Sequence, residues 1–477
     1  MRASIAAESA GIPSVSVICD GFAGQARATA RGLGYDSLPL AATIGHVDAQ
    51  SYDVMRQNFI DSTIDQIVAG LTGDEEGAQS DNAEPAALDL VFTGSVDEVN
   101  DYFILRGWTD GNPVIPPTID RVERLLADSG HDPWKTLGAA ASSGRDLTIW
   151  SIAVNAVMAG CRPEHLPVLI ALTEILADPA YGAEHSGNTT GADAVIVLDG
   201  PNSSGLGFVS GPGAMREGAH ANTAVARWLR LYLRNAFGFT ADEHDKATFG
   251  NPTRPVLCED RGCLAEVGWP SIAEQLGHSS DVDVVTLART NSGVIIGSVF
   301  GATPADIVPY LADGIVRVTS WELIHLHGLG HDQYRPMLVL SPLLARVFAS
   351  AGWDLPRVRQ ALFEHARIEA VAFEQFIGLW SNLAAGRPQL RSLVEQGVLP
   401  RVFGESPDPH RLVPVVTHPD RLLVAVAGDP TRANAYALSN DGAHGWWTAK
   451  EIDHTPASDL VCIVDGPRGA DAPGLLG

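Results

Sequence analysis

The chain has few cysteines, few basic residues and no long hydrophobic run. Five cysteines in 477 residues are too few, and odd in number, for a disulfide scaffold, so we expect a reducing, cytoplasmic environment. Lys and Arg total 32 against 57 Asp and Glu, and the resulting net charge of −25 would repel nucleic acids and anionic lipid surfaces. No stretch holds 18 consecutive apolar residues, which predicts that no segment crosses or enters a membrane.

The composition and the hydrophobic pattern predict an α/β protein of several units. Residues 1–72 alternate short β-rich runs with helical periodicity, which is typical of half of a doubly wound sheet. The module begins on a helical segment where such a sheet normally has a buried strand, so we expect it to be truncated at its front. Residues 73–90 contain six acidic residues and no Lys or Arg, which indicates a solvated linker. Residues 91–477 predict a large mixed α/β domain that carries the active site.

A stiff loop at residues 108–118 is the first candidate for chemistry. Proline fixes φ and glycine relaxes it, so this loop can hold Asp110 and Asn112 in a fixed direction. Asp110 is a candidate general acid or base and Asn112 a candidate substrate ligand. The alternative is a domain-entry loop whose Thr118 caps the next helix.

Two cysteines are candidate catalytic thiols. Cys161 lies between a helix that ends at Gly160 and one that begins at Pro163, where the helix dipole favours a thiolate. Asn155, on the preceding helix, is a candidate substrate ligand, and Cys258 is a second candidate thiol. The alternative for Cys161 is that it is packed in the core, because free cysteine is among the most buried residue types.

Polar and glycine-rich segments of the large domain predict a site for a small anion such as a carboxylate. Asn188, Thr189 and Thr190 precede a β-rich run. The glycine-rich loop at 205–213 precedes Asn222 and a helix on which Arg227 shares one face with two further arginines. The glycine spacing matches no nucleotide-binding fingerprint. The alternatives are ordinary turns and a solvated arginine face.

A cluster of imidazoles and one carboxylate suggests a metal site or an acid–base pair. The cluster consists of His325, His327, His331 and Asp332, and the intervening glycines allow a turn that brings the four side chains together. The alternative is isolated histidines that form loop hydrogen bonds.

These segments resemble the family named for its UGSC motif, together with a larger uncharacterised domain commonly encoded beside it. The resemblance rests on residues 8–13, 32–34 and the helix ending at Leu71, and in the large domain on residues 108–118 and 155–164 and on further points between 221 and 270. The resemblance implies redox or nucleophilic work by a cysteine or selenocysteine at the start of the small domain. The strand that would carry this residue lies before Met1, and Cys19 ends a different strand. Three explanations stay open: the gene start is wrong and the true start lies upstream of Met1, a partner chain or a second copy of this chain in a homo-oligomer supplies the missing segment, or the small domain has become a scaffold.

Three functions follow from these residues. The first is an enzyme, a thiol-dependent oxidoreductase or lyase, that acts on a small carboxylated organic molecule. The second is a metal-assisted hydrolase or lyase centred on the histidines. The third is a non-catalytic binding or assembly subunit that needs a cysteine-bearing partner chain. The first predicts that Asp110, Asn155, Cys161, Asn188, Thr189, Asn222 and Arg227 line one cavity.

Overall fold

A computed structural model describes residues 2–32, 35, 38–45, 50–73, 85–240, 244–250, 256–326, 332–380, 389–441 and 446–454. These residues mix helices and strands, which confirms the predicted α/β class. Within this part of the chain, no helix is both long and apolar enough to span a bilayer.

The described part of the N-terminal module contains two parallel strands and four α-helices. Its elements are α1 (Arg2–Ser9), β1 (Ser16–Cys19), α2 (Ala23–Gly32), β2 (Leu40–Thr43), α3 (Tyr52–Asn58) and α4 (Ile64–Thr72). A π-helical turn, Phe59–Thr63, joins the last two helices. The parallel register pairs Ser16 with Leu40 and Cys19 with Thr43, as a β–α–β unit requires. The predicted alternation of strands and helices in this module is confirmed.

The large domain is built around one mixed sheet. The strands of the domain are β3 (Thr136–Ala139), β4 (Asp146–Thr148), β5 (Asp193–Asp199), β6 (Val256–Cys258), β7 (Val284–Ile296), β8 (Met337–Leu340), β9 (Arg367–Glu369), β10 (Leu412–Pro414), β11 (Leu423–Val426), β12 (Ala435–Asn440) and β13 (Thr448–Glu451). The main sheet has the order β11-β8-β12-β7-β5-β6, and β13 also pairs with β7. Strands β11 and β8 are parallel, as are β5 and β6, and the other neighbours are antiparallel.

Twelve α-helices accompany this sheet in the described part of the domain. They are α5 (Val96–Leu105), α6 (Ile119–Leu126), α7 (Ile149–Ala159), α8 (Leu166–Ala177), α9 (His220–Asn235), α10 (Arg261–Val267), α11 (Ile272–Gln275), α12 (Pro304–Arg317), α13 (Pro342–Ser350), α14 (Leu355–His365), α15 (Ala370–Gly378) and α16 (Leu390–Glu395). One hydrophobic core joins α6 to α9 with β5, β6 and β7. A second core joins α12 to α16 with β8, β11 and β12.

The main sheet is curled, and its other face has a core of its own. Asp260, which follows β6 at one edge, donates its backbone N–H to Val426 of β11 at the other edge over 2.8 Å. Side chains alternate between the two faces, as a strand requires: Ile196 belongs to the core with α7 to α9, whereas Val195 and Val197 pack inside the curl. The ends of β6 and β11, the two edge strands of the sheet order, therefore meet.

Local periodicity predicts four elements whose bounds differ in the structure: helices over 146–159 and 356–377, and strands over 282–287 and 293–299. The helix predicted over 146–159 begins at Ile149, because Thr148 accepts a hydrogen bond from Ser151 and caps it. The helix predicted over 356–377 is interrupted by β9, whose pairing with the distant β10 is not visible in local periodicity. The strands predicted over 282–287 and 293–299 are one strand, β7, because the polar residues between them pair with β5 and β12.

Candidate functional site

A large cavity lies at the end of α9 and beside α7. It has a volume of about 1020 Å³, within the range of small-molecule sites. Its aromatic walls are Phe103, Trp108 and Trp150, and the rings of Phe103 and Trp108 pack edge to face with centroids 5.3 Å apart. The indole of Trp150 donates to the carbonyl of Ala87 over 3.2 Å, which holds residues 85–89 against the cavity. We call this space the arginine–aromatic cavity.

The charged lining of the arginine–aromatic cavity is mainly basic. Arg106, Arg145 and Arg234 line it, against one acidic residue, Asp89. Arg106 lies over the ring of Trp108 at 5.3 Å, and Arg234 donates to the carbonyl of Gly107 over 3.3 Å. Within the described ranges, neither Arg106 nor Arg234 pairs with a carboxylate. In a chain with a net charge of −25, these two uncompensated guanidinium groups create a local positive potential.

Two asparagines form a polar pair in this cavity. Asn155 is 4% exposed and donates to the carbonyl of Ser151, while its Oδ1 accepts from Asn235 over 2.8 Å. Asn235 also donates to the carbonyl of Trp108, and its buried Oδ1 has no partner. Since each amide is fixed by the backbone, the pair has a defined orientation. His244 adds an imidazole to the same lining.

Of the seven residues expected to line one cavity, only Asn155 lines the arginine–aromatic cavity. Arg227 instead forms a bidentate pair with Asp110, over 2.9 and 3.0 Å, and donates to the carbonyls of Asn112 and Pro113. Burial raises the pKa of Asp110, but the hydrogen bonds and charge of Arg227 outweigh it and hold that pKa below its usual value. The pair therefore ties the 108–118 loop to α9.

Cys161 lies in the core beside the N-terminus of a short helical turn. It is 9% exposed and belongs to the hydrophobic cluster of α7 and α8. Burial raises the pKa of its thiol, because a thiolate would lose its hydration there. The effect of burial opposes the dipole effect expected from the sequence.

The position of Cys161 predicts slow alkylation. In the folded protein we expect iodoacetamide to modify Cys161 at least about tenfold more slowly than the half-buried Cys19, because the thiolate is the reacting species. Peptide mass spectrometry over a time course measures both rates in one sample. Labelling of Cys161 ahead of Cys19 would contradict the burial argument.

The polar segment at 188–190 is a partly exposed loop closed by its own hydrogen bonds. The Asn188 side chain accepts from Thr190 and from the N–H groups of Gly191 and Ala192, and it donates to Asp441 over 2.7 Å. The carbonyl of Thr189 accepts from Thr248. These contacts close the loop and connect it to a carboxylate that is 1% exposed.

Asn222 anchors the glycine-rich loop. Its Oδ1 accepts from the N–H of Val209 over 3.0 Å, and its Nδ2 lies 3.4 Å from the carbonyls of Val209 and Val256. The side chain is 5% exposed, and its contacts join the loop to β6. Asn222 therefore holds the glycine-rich loop in place through the backbone of Val209.

The second candidate thiol, Cys258, ends β6 and is 2% exposed. Burial raises its pKa to about 11. The next residue, Glu259, is also 2% exposed. One of its carboxyl oxygens accepts from Ile272 N–H over 2.8 Å, and the other has no partner. Burial, and to a smaller extent Asp199, raises the pKa of Glu259 well above its usual value.

Glu259 predicts a pH-dependent effect on stability. A carboxyl whose pKa is raised on folding opposes folding once the pH exceeds its unfolded pKa of about 4.3. Glu259→Gln cannot ionise at any pH. The difference in unfolding free energy between Glu259→Gln and the wild type should therefore be smallest near a pH of about 4.3. This difference should then increase by at most about 1.4 kcal/mol per pH unit. Urea unfolding at several pH values tests this, with the exposed Glu266→Gln as control. A difference that does not change with pH would argue against an ionisable, buried Glu259.

The predicted metal cluster falls largely outside the described residues. His327 and His331 lie in the 327–331 gap, and the His325 side chain is also outside the described part of the structure. Asp332 pairs with Arg421 and accepts from Thr417. Among the residues that are described, no group of three potential ligands could hold a metal ion. The metal site stays a prediction.

Sequence reasoning assigned no site role of their own to Arg106, Arg145, Arg234, Asn235 and His244, all of which line the arginine–aromatic cavity. The sequence did carry one signal, because Arg106 and Gly107 directly precede the stiff loop and Arg234 and Asn235 end α9. The convergence of these segments depends on packing between helices α7 and α9, which no local pattern reports.

Comparison with known proteins adds one finding. No curated protein and no solved structure matches the chain. Residues 1–73 match the model of the UGSC family, so the resemblance inferred from the sequence is confirmed for the N-terminal module.

Proposed function

We propose that the protein is an enzyme whose substrate is a small carboxylated organic molecule bound in the arginine–aromatic cavity. The observation that carries the proposal is the pair Arg106 and Arg234, which line an aromatic-walled cavity without a carboxylate partner in the described chain. Guanidinium groups are the usual partners of carboxylates, and aromatic side chains bury the organic part of a ligand.

The remaining lining residues support the same class of ligand. The Asn155–Asn235 pair is a fixed polar surface beside the arginines and suits a hydroxyl, amine or carbonyl of the substrate. His244 places an imidazole at the cavity wall, and imidazole transfers protons near neutral pH. We assign the acid–base role to His244 rather than to Asp110, because Asp110 is held ionised by Arg227.

The proposal assigns no role to a thiol. Cys161 and Cys258 do not line the arginine–aromatic cavity, and burial raises the pKa of both. A nucleophilic cysteine needs the opposite conditions, an exposed thiol with a lowered pKa.

Calorimetric titration with a matched pair of probes tests the binding step. Phenylacetate and phenylacetamide have the same shape and differ in charge, so we expect saturable binding of the acid and at least about tenfold weaker binding of the amide, since charged hydrogen bonds contribute more than neutral ones. Equal affinity for both probes, or no binding of either, would refute the carboxylate assignment.

The enzymatic step needs a separate readout. A panel of carboxylic acids that bind is incubated with the protein and followed by mass spectrometry for loss of the acid. We expect His244→Gln to stop the loss while affinity is retained, since the imidazole would transfer protons rather than hold the carboxylate. Binding without turnover of any acid would instead support the non-catalytic alternative.

A further inference from the structure

The glycine-rich loop borders a second cavity that the proposed function does not use. It has a volume of about 370 Å³. The polar lining consists of Gly213, Arg216, Ser341, Gly428, Arg432 and Asn434, together with Asp429. Apolar side chains, including Leu257, Val339 and Tyr436, form the rest of the wall. We call this space the glycine-loop cavity.

The glycine-loop cavity lies where two parallel strands end. Ser341 directly follows β8, and α13 begins at the next residue, Pro342. Gly428 is the second residue after β11. The carboxyl ends of parallel strands are the usual ligand-binding edge of α/β sheets. Pro342 has no N–H, and the N–H groups of Leu344 and Ala345 donate to the carbonyl of Ser341 over 3.0 and 3.1 Å. The helix start therefore offers an anion the N–H of Leu343 and its partial positive charge.

Ser341 provides an independent indication that this cavity takes a ligand. It is the N-cap of α13, yet its side chain forms no capping hydrogen bond. The residue is 5% exposed, and its buried Oγ has no hydrogen-bond partner. Leaving a buried hydroxyl unpaired is unfavourable, so a ligand oxygen that pairs with it would recover free energy.

Two arginines flank the same cavity. Arg216 forms no ion pair with any residue that the structure describes. The Nε of Arg432 lies 4.0 Å from the carboxylate of Asp429. That carboxylate accepts from the N–H and the hydroxyl of Thr431 over 2.8 and 2.7 Å, so Arg432 is only loosely held by it.

The loop that carries Gly213 and Arg216 is held in place. The N–H of Gly428 donates to the carbonyl of Ser210 over 2.7 Å, and Asn222 fixes Val209. These contacts hold the backbone at residues 209 and 210, at the start of the loop. Met215, which also lines the cavity, has a φ of 66°, a value that residues other than glycine rarely adopt.

From these observations we propose that the glycine-loop cavity binds the phosphate group of a small phosphorylated molecule. A phosphate monoester has three terminal oxygens, which match the helix start, the Ser341 hydroxyl and the two guanidinium groups better than the two oxygens of a carboxylate do. The apolar walls of the cavity then contact the organic part of the molecule. This site is separate from the arginine–aromatic cavity, with which it shares no lining residue.

Calorimetric titration of the full chain with phenyl phosphate, inorganic phosphate and benzoate tests the proposal. We expect phenyl phosphate to bind most tightly. Ser341→Ala and Arg216→Gln should each weaken its binding by about tenfold, since each variant removes a hydrogen bond to a charged group. Matched controls are Ser350→Ala, at the exposed C-terminal end of α13, and Arg391→Gln, an exposed arginine on α16. Both controls should bind like the wild type.

Two results would overturn the proposal. One is the absence of saturable binding of either phosphate. The other is binding that Arg216→Gln leaves unchanged, which would place the anion elsewhere on the surface. The walls and charges of the arginine–aromatic cavity also suit an aromatic anion, so the phenyl phosphate titrations are repeated in the Arg234→Gln variant, which leaves the glycine-loop cavity intact. Affinity that survives Arg234→Gln and falls in Arg216→Gln supports the proposal, and the reverse pattern places the phosphate in the arginine–aromatic cavity. If Ser341→Ala does not fold, Arg216→Gln alone decides, because its side chain is exposed.

Discussion

Asp441→Asn is expected to lower the free energy of unfolding by about 3–5 kcal/mol, the cost of leaving a buried charge without its partner. Asp441 and Arg289 are each 1% exposed, and the Nε of Arg289 lies 3.6 Å from the Asp441 carboxylate. The asparagine would keep an acceptor for Asn188 or Asn291 but would leave the Arg289 charge uncompensated.

Urea unfolding followed by far-UV circular dichroism measures this effect. The control is Asp120→Asn, which breaks an exposed pair with Arg124 and should change the unfolding free energy by no more than about 0.5 kcal/mol. A loss of less than about 1 kcal/mol for Asp441→Asn would mean that Arg289 is stabilised by other groups. The result also bears on the 188–190 loop, since its contact with Asp441 assigns Asn188 a structural role.

The double substitution Arg106→Gln with Arg234→Gln is expected to weaken phenylacetate binding by about 100-fold, because each guanidinium supplies a charge-assisted hydrogen bond. The two residues come from different segments, so each single variant should lose about tenfold. Glutamine keeps part of the side-chain volume and leaves the aromatic walls intact.

The double variant Arg391→Gln with Arg401→Gln is the control for the net change in charge, because both arginines are exposed and line neither cavity. The affinity for the neutral phenylacetamide should be nearly equal in the Arg106→Gln with Arg234→Gln variant and the wild type. A decrease of less than about threefold for phenylacetate would show that the two arginines do not bind its carboxylate.

Local sequence patterns predicted the elements of the N-terminal module because those patterns are short-range. The period of helix α4 and the β-rich run of β1 are visible within a few residues. The same reasoning failed at β9, which is a strand only because Ile368 pairs with Val413, 45 residues away along the chain. The same reasoning predicted two strands in place of β7. The buried Arg289 and Thr290 of β7 resemble turn residues unless their partners across the sheet are known.

The candidate site was only partly predictable for a similar reason. The sequence indicated an arginine face on α9, but Arg227 and Arg230 pair with Asp110 and Asp193. Of the three, Arg234 is the one that lines the arginine–aromatic cavity. Which arginine keeps a free charge depends on where the acidic residues of distant segments lie. The glycine-rich loop was singled out correctly as a loop, yet its relation to Ser341 requires the parallel pairing of β8 with β11.

The most direct test of the central claim is the position of a bound carboxylate. Crystals of the full chain grown with 4-bromophenylacetate would locate the bromine by its anomalous scattering. We predict a single strong peak between Trp108 and Trp150, with the carboxylate directed at Arg106 and Arg234. A peak at any other position, with the arginine–aromatic cavity filled by solvent alone, would contradict the account.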